Sequence, residues 1–223
     1  MTRVIFDIET IGEDFENLDE TSKEYMLKYS ETEEDKESVR QSLGFYPLTG
    51  EIVAIGMLNP DTDKGVVYFQ APGTELTRLV EDNVEFVQGD EQEILMQFWQ
   101  TIRRYDQFIT FNGRSFDCPY IMIRSAIHKI KPTRNLMPYR YDSKEHIDLL
   151  DLFTFYGAVR KRFSLHMWCR AFGIKSPKEE GITGDTVKDF FKEKKFLEIA
   201  RYCLGDLYAT KELYFYWDKY IKV

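Results

Sequence analysis

The 223-residue chain is poor in the residue types that hold covalent or zinc-bound scaffolds together. It has three cysteines and three histidines. The cysteines are odd in number and lack Cys-x2-Cys spacing, which argues against zinc or disulfides and for a reducing, cytoplasmic location. The histidines have no mutual spacing that indicates a triad or a zinc site. The six residues are Cys118, His128, His146, His166, Cys169 and Cys203, of which Cys203 is expected to be a small buried residue.

Long apolar runs are also missing. None approaches the ~20 residues that span a bilayer, and the opening stretch 1–7 is too short for a signal sequence. We therefore expect no membrane association. The chain shows no internal repeat and no low-complexity linker, so one domain with a substantial core is expected over residues 1–223.

The chain has no excess of positive charge. Its net charge of −8 at pH 7 argues against duplex binding through a large basic surface. It does not exclude a nuclease, because bound divalent cations would offset acidic ligands. One basic cluster stands out at Arg160, Lys161 and Arg162, just before a helix predicted from Ser164. Two interpretations of this cluster are equally compatible with the sequence: it contacts a phosphate backbone, or it is a solvated loop.

Strand-like and helical patterns alternate along the chain and indicate an α/β fold. Turns near Gly50 and Asp61 predict that the first three strands form an antiparallel meander, whereas later strands separated by helices should pair in parallel. The predicted strands are Arg3–Ile8, Ile52–Leu58, Val66–Phe69, Gln107–Phe111 and Ile147–Leu149. The predicted helices are Glu91–Arg104, Tyr120–Lys129, Ser164–Phe172, Thr183–Glu193 and Phe196–Lys219.

An acidic segment at about residues 13–44 interrupts this alternation. Its sequence is typical of one or two charged helices, and Met26, Leu27 and Tyr29 form only a thin apolar stripe. We therefore expect a surface cover that is able to move.

Three acidic motifs are present in a fixed order: Asp7-Ile8-Glu9, Asn112-x4-Asp117 and Tyr202-x3-Asp206. They bring four carboxylates and one phenol from widely separated segments. Four carboxylates at one point would repel each other unless divalent cations neutralised them, so the motifs predict a two-metal site for phosphoryl transfer. Oxygen ligands suit Mg²⁺ or Mn²⁺ and not zinc. The predicted metal ligands are Asp7, Glu9, Asp117 and Asp206.

The first motif differs from other Asp-x-Glu pairs by its context. Asp7 and Glu9 follow the apolar run 4–6, which predicts a buried strand, and alternation along that strand puts both acids on one face. Two acids on one face of a buried strand are unfavourable unless something binds them, which favours a metal. The same pattern at Asp14 and Glu16 lies in polar sequence, where solvated charges are expected.

The second motif has plain structural alternatives. Asp117 stands just before Cys118-Pro119, which is also typical of a helix N-cap. Asn112 is also compatible with a simple turn. Asp148 and Asp151 flank a predicted strand end, and helix capping or sheet support is favoured for both over metal binding.

The third motif lies on the predicted C-terminal helix. Tyr202 and Asp206 are four residues apart and share a helical face. Gly205 would cost this helix about 1 kcal/mol relative to Ala, which is explained if the helix packs closely against another backbone. The same spacing at Tyr214 and Asp218 lies in the final turns, where ordinary packing is expected.

At these residues the chain resembles the DEDD superfamily of 3′→5′ exonucleases, in its tyrosine branch. That branch has Tyr four residues before the final Asp, whereas the other branch has His five before it; here position 202 is Tyr and position 201 is Arg. The strings most resemble proofreading domains of family-B DNA polymerases, and are closest to their stand-alone bacterial relatives. They are Phe6-Asp7-Ile8-Glu9-Thr10 and Phe111-Asn112-Gly113-Arg114-Ser115-Phe116-Asp117, with further likeness at 146–152 and 164–166.

The resemblance implies a ribonuclease-H-like fold with a mixed five-stranded sheet flanked by helices. It implies hydrolysis of single-stranded nucleic acid, DNA favoured over RNA, from a free 3′ end to nucleoside 5′-monophosphates with two Mg²⁺ or Mn²⁺. Tyr202 would orient the attacking water, so that the catalytic set is Asp7, Glu9, Asp117, Tyr202 and Asp206. The predicted substrate-binding residues are Thr10, Asn112, Phe116, Arg160, Lys161 and Arg162. The sequence names no polymerase or repair partner.

Two other functions are compatible with this fold. A nucleic-acid-binding or assembly module without turnover is disfavoured because all five motif residues are intact. A ribonuclease-H-type endonuclease is disfavoured because Tyr202 belongs to the exonuclease pattern.

Overall fold

The computed structural model describes residues 1–74, 78–176 and 184–222, which contain a seven-stranded mixed sheet. The strands are β1 Arg3–Gly12, β2 Gly50–Leu58, β3 Gly65–Phe69, β4 Leu79–Glu81, β5 Val84–Gln88, β6 Gln107–Thr110 and β7 His146–Asp148. Their order across the sheet is β4-β5-β3-β2-β1-β6-β7. The helices are α1 Glu20–Leu27, α2 Glu33–Ser42, α3 Glu91–Ile102, α4 Asp117–Ile127, α5 Leu149–Phe153, α6 Leu165–Phe172, α7 Val187–Lys192 and α8 Phe196–Tyr220.

Strand directions agree with the sequence. The meander predicted for the first three strands is confirmed, because β1 and β3 both pair antiparallel with β2. The later strands β6 and β7 are parallel, as predicted: β6 pairs with β1, and β7 pairs with β6. The α/β class with a mixed sheet is therefore confirmed.

The sheet has seven strands rather than the predicted five. The two missed strands form its far edge, where β5 runs parallel to β3 and antiparallel to β4. In β5 the buried residues Val84 and Phe86 alternate with half-buried neighbours. β4 has only three residues, too few to show an alternating pattern. Short edge strands of this kind are weak signals in a sequence.

Several predicted boundaries are wrong. The strand predicted at Arg3–Ile8 continues to Gly12, and three other boundaries differ for local reasons. The strand predicted at Ile147–Leu149 ends at Asp148, whose side chain caps α5. The helix predicted from Tyr120 begins at Asp117. The helix predicted at Thr183–Glu193 is shorter, Val187–Lys192, and Thr183 itself lies outside the described residues.

The sheet separates two hydrophobic cores, and β1 contributes to both. Val4 and Phe6 belong to the core shared with α3 and α4. Ile5 and Ile11 belong to the opposite core, shared with α8. Because side chains alternate along a strand, Asp7 lies on the α8 side of the sheet.

α8 packs against the sheet at unusually short range. A Cβ on Gly56 of β2 would lie 2.7 Å from Leu207 Cδ1 and 2.9 Å from Cys203 Sγ. A side chain at position 56 would therefore displace Leu207 or Cys203 of α8. The sequence assigned this role to Gly205, but Gly205 lines a separate cavity together with Ile174 and Tyr208. α8 does pack closely against the sheet, but the glycine at this contact is Gly56 of β2.

The charged segment 13–44 forms two short surface helices, as predicted. Neither α1 nor α2, both within the described range, contributes a buried residue. Its two ends are anchored: Lys188 binds Asp14 at 2.9 Å, and the Thr10 hydroxyl donates to the Gly44 carbonyl at 2.8 Å. Across the residues that the structure describes, no helix is apolar and long enough to cross a membrane.

Candidate active site

Asp7 and Glu9 lie inside β1 rather than at its end, because the strand continues to Gly12. The register with β2 shifts between Glu9 and Thr10, and such bulges re-aim side chains next to functional sites. Ligand atoms of Asp7, Glu9 and Cys203 all lie within 4.8 Å of one another. The structure therefore brings the first motif against α8.

Asp117 is joined to the same strand. It is the first residue of α4, is 3% exposed, and accepts a hydrogen bond from the Ile8 N–H at 3.1 Å. The N-cap position belongs to Phe116, so the helix-cap interpretation of Asp117 is wrong. This bond holds the carboxylate beside the Asp7–Glu9 pair.

Tyr202 and Asp206 occupy one face of α8, as predicted. Their side chains are hydrogen-bonded to each other. Cys203, between them, is fully buried as expected, and its thiol donates to the Asp7 carbonyl at 3.7 Å. Burial raises the pKa of Cys203 well above its usual value, and the nearby carboxylates raise it further. The thiol therefore stays protonated, and oxygen atoms are the available anionic ligands.

The carboxylates raise one another's pKa. Burial, followed by repulsion from Asp117 and Asp206, raises the pKa of Asp7 well above its usual value. Glu9 is raised by the same causes. Burial raises the pKa of Asp117 to about 7, against the opposing effect of its backbone hydrogen bonds. Burial and the adjacent acids also raise the pKa of Tyr202, so its hydroxyl is protonated at neutral pH.

No ion pair compensates the carboxylates of Asp7, Glu9 and Asp117 within the described ranges. Burying an acid without a cationic partner is unfavourable by several kcal/mol. A site of this kind is a candidate for binding cations that the protein itself does not supply.

A cavity of about 520 Å³ opens onto this cluster. Its volume is in the range of pockets that hold a small molecule or a single nucleotide. Predicted site residues in its wall are Asp7, Asn112, Phe116, Arg162, Tyr202 and Asp206. The other lining residues are Phe111, Ser115, Leu150, Phe163, Ser164, Leu165, His166, Ser176 and Gly184.

Asn112 is fixed on both its backbone and its side chain. It has a left-handed backbone with φ 65°, and its N–H donates to Asp148 Oδ1 at 3.1 Å. Its side-chain oxygen accepts from Arg162 Nη2 at 3.0 Å, while Arg162 Nη1 donates to Ser115 Oγ at 3.1 Å. Asn112 is therefore an anchor for Arg162 at the pocket wall.

Asp148 has the structural role that the sequence favoured, whereas Asp151 forms an ion pair. Asp148 accepts bonds from the N–H groups of Asn112 and Arg114, and also caps α5. Asp151 is buried and paired with Arg140 through two hydrogen bonds of 2.8 and 2.5 Å. Capping and support are confirmed for Asp148, and neither residue lines the pocket.

Three predicted substrate-binding residues lie outside the pocket wall. The Thr10 hydroxyl already donates to the Gly44 carbonyl. Lys161 lies over the Phe163 ring at 5.1 Å, and Arg160 is exposed. Their contact with a substrate stays a prediction.

Sequence reasoning missed Ser115, His166 and Ser176, which line the pocket. Ser115 lies within the second motif, and attention to its hydroxyl would have found it. His166 Nδ1 and Ser176 Oγ are 2.8 Å apart. His166 lies in the stretch 164–166 that shares the family resemblance, but nothing local in the sequence pairs it with Ser176.

Known proteins resemble this chain in sequence and in fold. Residues 51–221 match the family described as predicted 3′-5′ exonucleases related to the exonuclease domain of PolB. A DNA polymerase of Methanocaldococcus jannaschii is 32% identical over 80 residues, which is 30% of this chain and 5% of the polymerase. The family B DNA polymerase of Pyrobaculum calidifontis superimposes with a TM-score of 0.59 at 16% identity, over 97% of this chain and 24% of that one.

The chain thus spans about a quarter or less of these polymerases. The superposition on the Pyrobaculum calidifontis polymerase shows the ribonuclease-H-like fold of a polymerase exonuclease domain. The family match contains Asp117, Tyr202 and Asp206, whereas Asp7 and Glu9 precede it. Since the match covers most of the chain, this protein belongs to the family of predicted 3′-5′ exonucleases related to the exonuclease domain of PolB.

Proposed function

We propose that this chain is a metal-dependent 3′→5′ exonuclease of the DEDD tyrosine branch. The observation that carries the proposal is the cluster of half-buried Asp7 with buried Glu9 and Asp117, which lacks an ion-pair partner in the part of the chain that the structure describes. Asp117 raises the pKa of both Asp7 and Glu9. Asp206 and Tyr202 face the same cavity. We further propose that residues 1–223 form one domain in which segment 13–44 is an insertion.

The residues present fit divalent cations. Asp7 and Glu9 offer close carboxylate oxygens, and Asp117 and Asp206 lie near enough to repel Asp7. Because the Cys203 thiol stays protonated, the set is one of oxygen ligands, which Mg²⁺ and Mn²⁺ prefer. We assign two cations to these four carboxylates. When bound, the cations would neutralise the cluster and polarise both water and the scissile phosphodiester.

The remaining pocket residues would bind and orient. The protonated Tyr202 hydroxyl, fixed by Asp206, positions the attacking water by a hydrogen bond and does not take its proton. The Arg162 guanidinium, held by Asn112, is placed to bind a phosphate oxygen of the terminal nucleotide. Phe116 offers a ring in the same wall for the terminal sugar or base.

The proposed substrate is single-stranded nucleic acid with a free 3′ end, and the product is a nucleoside 5′-monophosphate. DNA is favoured over RNA because the family is related to the exonuclease domain of a DNA polymerase. No particular polymerase or repair partner is proposed.

Matched 5′-labelled DNA and RNA strands of about 12 nucleotides, incubated with Mg²⁺, test this proposal. A ladder descending one nucleotide at a time, faster with DNA, supports it. Internal cuts would instead indicate an endonuclease, and binding without cleavage would indicate the module without turnover. A 3′-phosphate should block the ladder, and efficient cutting of a circular single strand would contradict the need for a free end.

A further inference from the structure

An exposed aromatic surface lies outside the pocket. It is made by Tyr139, Tyr141, Phe155 and Tyr156, and we call it the aromatic platform. Tyr139 is 73% exposed, and Tyr141 and Phe155 are each 60% exposed. The ring centroids of Tyr139 and Tyr141 are 5.7 Å apart, and those of Tyr141 and Tyr156 are 4.8 Å apart. Such a concentration of exposed rings is unusual for a surface with no binding role.

The platform is held in place from below. Arg114 Nη1 donates to the Pro138 carbonyl at 2.9 Å, which fixes the chain entering Tyr139. Arg140, between the two tyrosines, is tied to the buried Asp151. Phe155 and Tyr156 follow α5 with φ of 49° and 55°. Bulky residues seldom adopt this left-handed backbone, and such strain concentrates at functional positions.

The platform is connected to the pocket through shared contacts. Arg162 lines the pocket and touches Asn112 and Ser115. Its guanidinium also lies 3.9 Å from Asp151, the carboxylate that holds Arg140. Asp151 therefore links the pocket residue Arg162 to Arg140, which lies between two platform tyrosines in the sequence.

Charge favours a nucleic acid over a protein as the occupant. The two stretches that contain the platform, 139–145 and 154–163, carry five basic residues and two acids, in a chain whose net charge is −8. Cations for phosphates beside aromatic rings for bases are the two elements of single-strand recognition. This combination also gives Arg160 and Lys161 a role outside the pocket.

We propose that the aromatic platform stacks bases of the strand upstream of the 3′-terminal nucleotide. The proposal rests on the function proposed above and extends it from the terminal nucleotide to the strand that follows. The platform would discriminate by length and strand state rather than by sequence, since every base has a face on which to stack.

The test is the dependence of cleavage on strand length. KM and kcat are measured for labelled DNA strands from about two to about 12 nucleotides, with the wild type and with Tyr139→Ala/Tyr141→Ala. We expect KM of the wild type to fall with length, and the variant to raise KM roughly 10- to 100-fold for the long strand only. Abasic residues placed in the long strand should raise the wild-type KM and have little further effect in the variant.

Two controls isolate stacking. Tyr139→Phe/Tyr141→Phe keeps the rings and should keep the wild-type KM. Tyr25→Ala/Tyr29→Ala removes two comparably exposed tyrosines, 76% and 86%, from the charged segment and should change nothing. If the wild type cleaves strands but the platform variant shows the same length dependence, the platform proposal is overturned and a protein partner becomes its occupant. If the wild type neither cleaves nor binds any strand, the proposed function itself fails.

Discussion

Two buried acidic groups in this molecule differ in what surrounds them. Glu91, 5% exposed, accepts from Arg124 at 2.8 and 2.5 Å and lies 2.6 Å from His128 Nε2. It also accepts the Ile52 N–H at 2.7 Å. Asp7, Glu9 and Asp117, which we call the site carboxylates, lie close to one another; Glu9 and Asp117 are as buried as Glu91, and Asp7 is half-buried.

The difference separates structure from function. Glu91 joins β2, α3 and α4 through partners that the chain supplies, so its charge is compensated in the folded protein. The site carboxylates have no such cation in the described residues, and the fold retains them despite the unfavourable free energy. A buried acid that lacks a partner is therefore a better indicator of a cation site than acidity itself.

The largest expected effect is on turnover. Asp7→Asn removes one charge without changing shape, and we expect kcat to fall by about 1000-fold or more because cation binding is impaired. Without cations the same variant should be as stable as the wild type or more stable, since one repulsive charge is gone. Paired kinetic and thermal measurements check both parts.

Asp14→Asn, in the second Asp-x-Glu pair, is the matched control: it weakens the contact with Lys188 on the surface and should leave kcat unchanged. Full activity of the wild type in EDTA would refute the role given to the site carboxylates.

The reverse pattern is expected for Glu91. Glu91→Gln leaves Arg124 buried without its anionic partner, which should lower the free energy of unfolding by about 3–5 kcal/mol. Urea denaturation measures this, and the fraction that remains folded should keep a normal kcat. Glu33→Gln, which breaks an exposed pair with Lys36, should leave the free energy of unfolding nearly unchanged. Equal effects of these two variants would show that the buried pair of Glu91 stabilises the fold no more than an exposed pair does.

Tyr202→Phe tests whether the phenol belongs to the acid cluster or to the packing. Deleting its hydroxyl should lower kcat roughly 10- to 1000-fold with KM nearly constant. Tyr214→Phe is the matched control, since Tyr214 has the same spacing to Asp218 and lies in the core beside Trp217. Unchanged kcat in Tyr202→Phe would make Tyr202 a packing residue as well.

The smallest effect is a pH dependence of the chelated protein. The folded-state pKa of Asp117 is raised to about 7 above its unfolded value near 3.9. Its contribution to stability is therefore complete below about pH 4 and is lost as the pH rises through 7. We expect the unfolding midpoint in EDTA to fall by roughly 5 °C between about pH 5 and pH 8.

Mg²⁺ should abolish most of this fall, because cation binding stabilises the folded state. Asp117→Asn should flatten the profile without Mg²⁺. A flat wild-type profile in EDTA would show that burial does not raise the pKa of these acids.

Local sequence patterns predicted which acids share a face of a strand or helix, and they predicted much of the sheet. The strand at 3–8, the meander and the shared face of Tyr202 and Asp206 depend on neighbours a few residues apart. Period and spacing therefore predict them. The edge strand β4 was missed because its three residues are too few to show a period, and its neighbour β5 has only five residues.

Contacts between distant segments were out of reach. The Thr10 hydroxyl donates a hydrogen bond to the Gly44 carbonyl. Arg162 donates one to the side chain of Asn112, which is 50 residues away in the sequence. Nothing local distinguishes Arg162 from Arg160, since both stand in one basic run. Gly56 was missed for the same reason, because a glycine in a strand gives no sign of the helix that will cross it.

The contact of α8 with β1 has a consequence for biosynthesis. The thiol that meets the Asp7 carbonyl belongs to Cys203, 196 residues later in the chain. Contacts at that separation form late, since a long loop must close first. On the ribosome the acidic residues of β1 emerge early and wait for α8 to be translated. Hydrolytic competence would then arise in a single step, when α8 docks, and nascent fragments lacking it would be inert toward nucleic acid.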